Sequence, residues 1–464
     1  MPGTVDNVVV FFTDQQRWDT VGLAGCPLDL TPNFDYWASR GTYLPYATTP
    51  QPVCGPARAC LQTGRYATAI GDGCHTNGRP LPVEADTLAK RFNDGGRSTG
   101  YFGKWHLGTE QAVPEAERGG WQTWLANNAS ESNSDGYHAL VHDEQQRPVK
   151  LPGYRVDALT DATIRFIDGC HNRGERFCCM VSHLEPHMQN HRDAHPAPFG
   201  YEERYRGRWT PPDLACLPGA DPFYEHMVGG NAQQSLPGYL GSIKRLDEAF
   251  GRLMDALASL DLLESTAVVF TSDHGCHFRT RNSEYKRSCH DVSLRVPTMF
   301  FGGPFTGGGR DERPFQLTDL APTLCDAAGL DAPDGAQGHS LLGDMPSEAF
   351  SQISESQFGR CVRTKCWKYA AVSPDIDSKD RYSTLLVESH LYDLVADPYE
   401  LVNLAGSAVY RPICDEMKAT LLRRMSEAGE PDATIENAPQ PDPKPGQLFQ
   451  RELRPEDDLL PPTV

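Results

Sequence analysis

The chain has no Cys-x-x-Cys pair among its 14 cysteines, which removes zinc-ribbon and thioredoxin-like chemistry. No run approaches the roughly 18 apolar residues that a membrane-spanning helix needs. Basic residues are scarce: 43 Lys and Arg stand against 62 Asp and Glu, a net charge of −19. Such a surface repels nucleic acid and anionic lipid, so neither nucleic acid nor membrane is an expected partner. An anionic small substrate would need a local basic pocket set against that field. The opening "MPGTVDNVVVFF" lacks a charged region followed by a long apolar one and leads directly into a strand pattern. The expectation is a cytoplasmic protein whose cysteines are mostly small buried hydrophobes in a reducing compartment. Internal repeats are absent.

What is present is an alternation of short apolar runs and helical stretches. "NVVVFF" (7–12) is β-branched and aromatic and delivers "TDQQ"; "TAVVF" (266–270) delivers "TSDHG"; "RFCCMVS" delivers "HLEPH". These read as buried strands with polar residues at their carboxyl ends. "VPTMFF" (296–301) reads as a fourth strand. Leu240, Ile243, Leu246, Phe250, Leu253, Met254 and Leu257 fall on one face of a helix expected from about Gly238 to Leu260. The expected fold is α/β, with a large, mostly parallel central sheet flanked by helices. Ligands bind beyond the carboxyl ends of such strands, where the polar clusters lie. After residue 344 the texture changes. "KCWKYAAV" and "HLYDL" read as antiparallel strands and 408–427 as an amphipathic helix. Three segments follow: a catalytic domain at 1–344, a smaller C-terminal α+β subdomain at 345–430 and a Pro-rich acidic tail at 431–464.

One stretch, "QPVCGPARACLQTGRY" (51–66), places Cys54 at the mouth of a helix, with Pro56 in the first turn and Arg58 one turn on. The positive end of a helix favours anions and lowers a thiol pKa. Cys54-Gly55-Pro56-Ala57-Arg58 with Thr63-Gly64-Arg65 resembles the sulfatase signature C-x-P-x-R and its downstream T-G-R. The resemblance implies that Cys54 is oxidised by a formylglycine-generating or equivalent maturation enzyme to an aldehyde, which hydrates to a geminal diol. One hydroxyl then attacks sulfur, and the second loses its proton and expels sulfate. A thiol or serine has no second hydroxyl and would stop at the ester.

The likeness runs over about residues 5–405. "GYFGKWHLG" (100–108) resembles the second sulfatase signature and implies that Lys104 contacts sulfate and His106 is the base of the elimination. "DQQ" and "SDHG" resemble the metal clusters. By that resemblance Asp14, Gln15, Asp273 and His274 bind one divalent cation together with modified Cys54. Many relatives have Asp where Gln15 stands and Asn where His274 stands. Mostly oxygen ligands suit Ca2+, with Mg2+ second. His187 of "EPH" matches the active-site histidine, with His183 and His191 as substrate-facing or merely polar neighbours. Lys286 matches the second sulfate-binding lysine. Between it and "RVP" this chain has His290-Asp291 where relatives often have Tyr-Glu. "TDLAPTL", "RTKCWKY" and "LYDLVADPYELVNL" also match family patterns.

Taken singly, Asp14 reads as a turn residue, Asp273 as a helix cap, Lys104 and Lys286 as solvated lysines, and His187 as a loop histidine. Their joint appearance at strand ends favours the site. The expected activity is hydrolysis of a sulfated carbohydrate or aryl sulfate. Phosphonate monoester or phosphodiester hydrolysis shares these motifs, and a non-catalytic sulfated-glycan binding protein is the reading from another class. A thiol phosphatase does not fit, because it needs Cys-x5-Arg. "FRTRNSEYKR" gathers Arg279, Arg281, Lys286 and Arg287. In so acidic a chain it suggests either a polyanionic substrate, bound by Arg279 and Arg281, or a solvated basic loop.

Overall fold

The structure, a computed structural model, describes residues 4–71, 73–132 and 135–439. At its centre is the apolar strand Asn7–Asp14 (β1), buried along its whole length. The strands Ser98–Lys104 (β2), Thr123–Asn127 (β3), Phe177–Pro186 (β4) and Thr266–Ser272 (β5) run parallel to it in the order β3-β2-β4-β1-β5. Val10 lies in register with Met180 on one side and Val269 on the other. Met299–Phe301 (β6) adds antiparallel to β5. The strand expected over 296–301 is thus only its last three residues. Short strands complete a ten-stranded sheet.

The period-two alternation of β1 builds two cores. Val8, Val10 and Phe12 join Ala57, Cys60 and Leu61 of the helix Cys54–Thr63 (α1) on one face. Val9 and Phe11 join Leu159 and Ile167 of the helix Arg155–Arg173 (α2), and Phe250, Leu253 and Leu257 of the helix Ala232–Ser259 (α3), on the other. Each such large apolar side chain contributes about 1.5–3 kcal/mol by leaving water. The apolar stripe of α3 is the expected one, but the helix begins earlier than Gly238 and carries Pro237 inside it. Gly238 permits the close packing there, since a Cβ would come within 2.0 Å of the His195 carbonyl oxygen.

The second sheet follows the order Ala349–Ile353 (β7), Phe358–Arg363 (β8), Trp367–Ser373 (β9), Leu385–Asp393 (β10) and Thr434–Glu436 (β11). Its first four strands are antiparallel and β11 pairs parallel to β10. The helix Arg411–Glu427 (α4) packs Met417, Leu421 and Met425 against Phe350, Val362 and Leu391. Strand β11 lies within the segment expected as a tail, and residues 440–464 lie outside the described residues. Two buried cations of this sheet reach the catalytic sheet's side: Arg363 and Lys368 bind Asp291, at 3.0 and 2.5 Å. No described helix is long and apolar enough to cross a membrane.

Candidate active site

The carboxyl ends of the parallel strands meet at one point. β1 ends in Asp14, β2 in Lys104, and β5 hands on to Asp273 and His274. Gln15 and His106, one and two residues past two of these ends, adopt left-handed backbone with φ of 68° and 62°. Side chains rarely accept that conformation, and it turns the chain sharply at each strand exit. Gly103 is required on its own account: a Cβ would meet the Ser182 carbonyl oxygen at 2.0 Å.

Cys54 opens α1 at its N-terminus, and Gly64 closes the helix with a left-handed φ of 68° and a bond to the Cys60 carbonyl. The buried Cys54 Sγ stands 2.9 Å from Lys286 Nζ, 3.3 Å from His274 Nε2 and 3.7 Å from Asp14 Oδ1. Burial opposes a charge on this thiol, yet Lys104, Lys286 and His274 hold it well below its ordinary range. Burial pushes the Cys60, Cys178, Cys179 and Cys276 thiols up instead, that of Cys276 to about 11. Those four behave as the expected small hydrophobes, whereas Cys216 and Cys366 are exposed.

Arg58 is the organiser beneath Cys54. Its guanidinium donates to Asp14 Oδ2 at 2.9 Å, Asp273 Oδ2 at 3.3 Å, Ser182 Oγ at 2.7 Å and the Lys104 carbonyl at 2.8 Å. Lys104 Nζ donates to Asp14 Oδ2 at 2.7 Å. Burial would raise the Asp14 carboxyl, but Lys104, His187 and Arg58 draw it down; burial and the Asp14 charge push Asp273 up. His187 Nε2 lies 3.1 Å from Lys286 Nζ, and its Nδ1 bonds the Met188 carbonyl at 2.6 Å. His277, buried and held neutral to about pH 3 by desolvation, steadies the Lys286 carbonyl at 3.0 Å.

The donors fit a divalent cation. Asp14, Cys54, Asp273 and His274 each bring one ligand atom, all within 4.8 Å of one another. Gln15 Oε1 is buried with no hydrogen-bond partner among the described residues, while its amide nitrogen is held by Cys276 at 3.2 Å. His274 Nδ1 faces the Gly275 carbonyl at 3.0 Å. A carbonyl only accepts, so Nδ1 donates there and Nε2 is the ring nitrogen that faces the carboxylates, the arrangement a metal ligand requires.

Ten of the twelve site residues expected from the sequence converge here, and two do not. Arg281 donates to the Tyr399 and Glu400 carbonyls at 2.8 and 3.0 Å. Arg279 pairs with Asp193 at 3.1 Å and lies over the Tyr285 ring. Arg287, the third arginine of that segment, is bound to Glu355 at 2.8 Å and to Glu284. The basic cluster is largely neutralised within the protein, so its local charge no longer argues for a polyanionic substrate. His183 is a fully buried strand residue whose ring lies tilted against that of Phe11, and His191 is an exposed partner of Asp135. His183 is thereby closed off from substrate.

Sequence reasoning missed Glu131 and Ser182. Glu131 is buried 3.3 Å from Lys104 Nζ and 3.7 Å from His106 Nε2. Burial would raise its carboxyl, but Lys104, His106 and His187 hold it far below the carboxylate range. It sits in the polar stretch "NASESNSDGY", which carries no period and no motif.

Comparison with known proteins gives the geometry its context. The sulfatase family model matches residues 6–330, and the model for the N-sulphoglucosamine sulphohydrolase C-terminal region matches 284–427. An ulvan-active sulfatase of Formosa agariphila is 28% identical over 92% of this chain and 82% of its own. A structure solved in complex with its substrate D-glucosamine-2-N,6-O-disulfate superposes with a TM-score of 0.77 at 21% identity, covering 92% of this chain and 98% of that one. The phosphonate monoester hydrolase of Silicibacter pomeroyi superposes at 0.69 with 19% identity, covering 91% and 95%. With the family model spanning most of the catalytic sheet and full-length relatives of that activity, the chain belongs to the sulfatase family of the alkaline phosphatase-like superfamily and is a sulfuric ester hydrolase.

Proposed function

We propose that this sulfatase removes sulfate from a sulfated carbohydrate through a formylglycine hydrate made from Cys54. The observation that carries the reading is the crowding of one helix-mouth side chain by Lys286, His274 and Asp14. In this structure the Cys54 sulfur stands in for the two hydrate oxygens of the mature enzyme. The proposed ligands of a Ca2+ ion are Asp14, Gln15, Asp273, His274 and an oxygen of residue 54. When bound, the ion supplies Lewis acidity that lowers the hydrate pKa and polarises the sulfate oxygens.

The protein's own residues do the rest. Lys104 and Lys286 neutralise the sulfate oxygens as one hydrate oxygen bonds to sulfur and the sugar oxygen leaves. The attacking hydroxyl gives up its proton as it bonds to sulfur, and the hydrogen-bonded pair of His187 and Lys286, 3.1 Å apart, delivers the proton that the departing sugar oxygen takes up. His106 then takes the proton of the remaining hydroxyl, the C–O bond to the sulfate breaks and the aldehyde is restored for rehydration. Arg58 binds both carboxylates and the Lys104 carbonyl, so it positions the machinery.

The carbohydrate assignment is supported by relatives such as the ulvan-active sulfatase and by the glucosamine disulfate complex. The test is a panel of sulfated mono- and disaccharides assayed beside 4-nitrophenyl sulfate, a phosphonate monoester and a phosphodiester. Turnover of a sulfated sugar above all others is expected. Preference for the phosphonate would sink the reading, and no turnover by enzyme carrying the aldehyde would favour a glycan-binding protein or an enzyme selective for a sugar outside the panel.

A further inference from the structure

A second cluster of metal-type ligands lies outside the catalytic centre. Cys289, His290 and His390 each present one donor atom, and the three atoms lie within 4.8 Å of one another. Cys289 and His290 are buried, at 1% and 3% exposure, and His390 is half-buried. Cys289 Sγ and His390 Nδ1 stand 3.7 Å apart. A tetrahedral zinc ion, with Zn–S near 2.3 Å and Zn–N near 2.0–2.1 Å, sets such a pair about 3.6 Å apart.

Strand geometry explains how His390 gets there. Along an uninterrupted strand, Leu386, Glu388, His390 and Tyr392 would share one face. The register of β9 against β10 instead slips between Ala370 and Ala371, with Ala370 opposite His390 and Ala371 opposite Glu388. Ser389 is the extra residue. The bulge puts Leu391, rather than His390, beside Leu386 in the core under α4, and turns His390 and Tyr392 to the opposite face. That face meets the segment just after Lys286. His290 Nε2 lies 3.0 Å from the Tyr392 hydroxyl, an outer contact of the kind that orients a metal-bound imidazole. Bulges re-aim side chains in this manner.

We propose that Cys289, His290 and His390 bind a zinc-class divalent ion that fastens the Lys286 segment to the C-terminal sheet. The chemistry separates it from the first cluster. One thiolate and two imidazoles select zinc over calcium or magnesium, whereas carboxylates and an amide oxygen do the reverse. Binding releases the thiol proton, so it weakens in acid. Without an ion, His390 Nδ1 shares the Ser389 hydroxyl at 3.0 Å.

The test uses the full-length enzyme loaded with Zn2+, dialysed, and measured by elemental mass spectrometry. Wild type should retain one zinc equivalent above the Cys289→Ser and His390→Gln variants, with calcium content equal in all three. Co2+ in place of zinc should give a thiolate-to-metal charge-transfer band that Cys289→Ser lacks. Because His390 is half-exposed, His390→Gln remains informative if Cys289→Ser fails to fold. Equal zinc in wild type and variants, or none in wild type, would overturn the proposal. Neither result bears on sulfate hydrolysis, which is read from turnover.

Discussion

Lys286 Nζ lies 2.9 Å from Cys54 Sγ although 232 residues separate them in the chain. The contact joins the mouth of α1 to the loop after β5.

Replacing Cys54 should end multiple turnover. Cys54→Ser retains an oxygen that can form the sulfate ester but has no second hydroxyl to expel it. Intact-protein mass spectrometry after incubation with substrate should show at most one trapped sulfate per molecule. Steady turnover by Cys54→Ser at the wild-type rate would rule out the diol.

Chelation should lower activity, and Ca2+, or less well Mg2+, should restore it. At a hundredfold excess over Kd, the ion should add about 2.7 kcal/mol of stability, read as a raised Tm. Gln15→Ala removes the buried amide oxygen and should weaken this metal-dependent shift, measured by calorimetry across a calcium titration. A Gln15→Ala shift equal to the wild-type one would remove that residue from the ligand set.

Lys104→Ala and His106→Ala should separate. Lys104 is buried between Asp14 and Glu131, so its removal takes a cation from both, leaving Asp14 to Arg58 and Glu131 to His106, and should cost up to about 3–5 kcal/mol as well as activity. His106→Ala should reduce kcat strongly with a smaller loss of stability. Equal unfolding free energies in denaturant titrations of the two variants would contradict this.

His183 supplies a pH prediction. Its ring is fully buried, and neither nitrogen has a hydrogen-bond partner among the described residues. Desolvation, with a smaller push from Arg155, lowers it from 6.5 to about 3. The unfolded chain therefore binds the proton first as pH falls. The stability owed to a neutral His183 is complete above pH 6.5 and drains toward pH 3, by up to about 1.4 kcal/mol per pH unit. His183→Phe should flatten that part of the stability profile while leaving turnover nearly unchanged. An unaltered pH slope would show that His183 does not carry it.

Much of the site was legible because its residues follow apolar runs whose character announces a buried strand. Asp14, Asp273 and His274 stand directly after such runs, whereas Lys104, and the roles of all four, came from the likeness to the sulfatase signatures. Glu131 was invisible, since a carboxylate in a polar loop has no pattern until folding sets it beside Lys104. His183 was misjudged because the strand continues past the apolar run to Pro186. The arginines after "SDHG" misled for a related reason: local charge is visible in a sequence, but the carbonyls of Tyr399 and Glu400 that bind Arg281 are not. The bulge at Ser389 arises from pairing between strands, which a single segment cannot show.

Strand β1 faces both cores and also ends in the metal-site carboxylate. Inserting or deleting one residue within it would exchange the two interiors and swing Asp14 to the opposite side of the sheet. Catalytic failure and collapse of the fold would then arrive together, so natural variation in this enzyme should concentrate in its loops and spare the length of that strand.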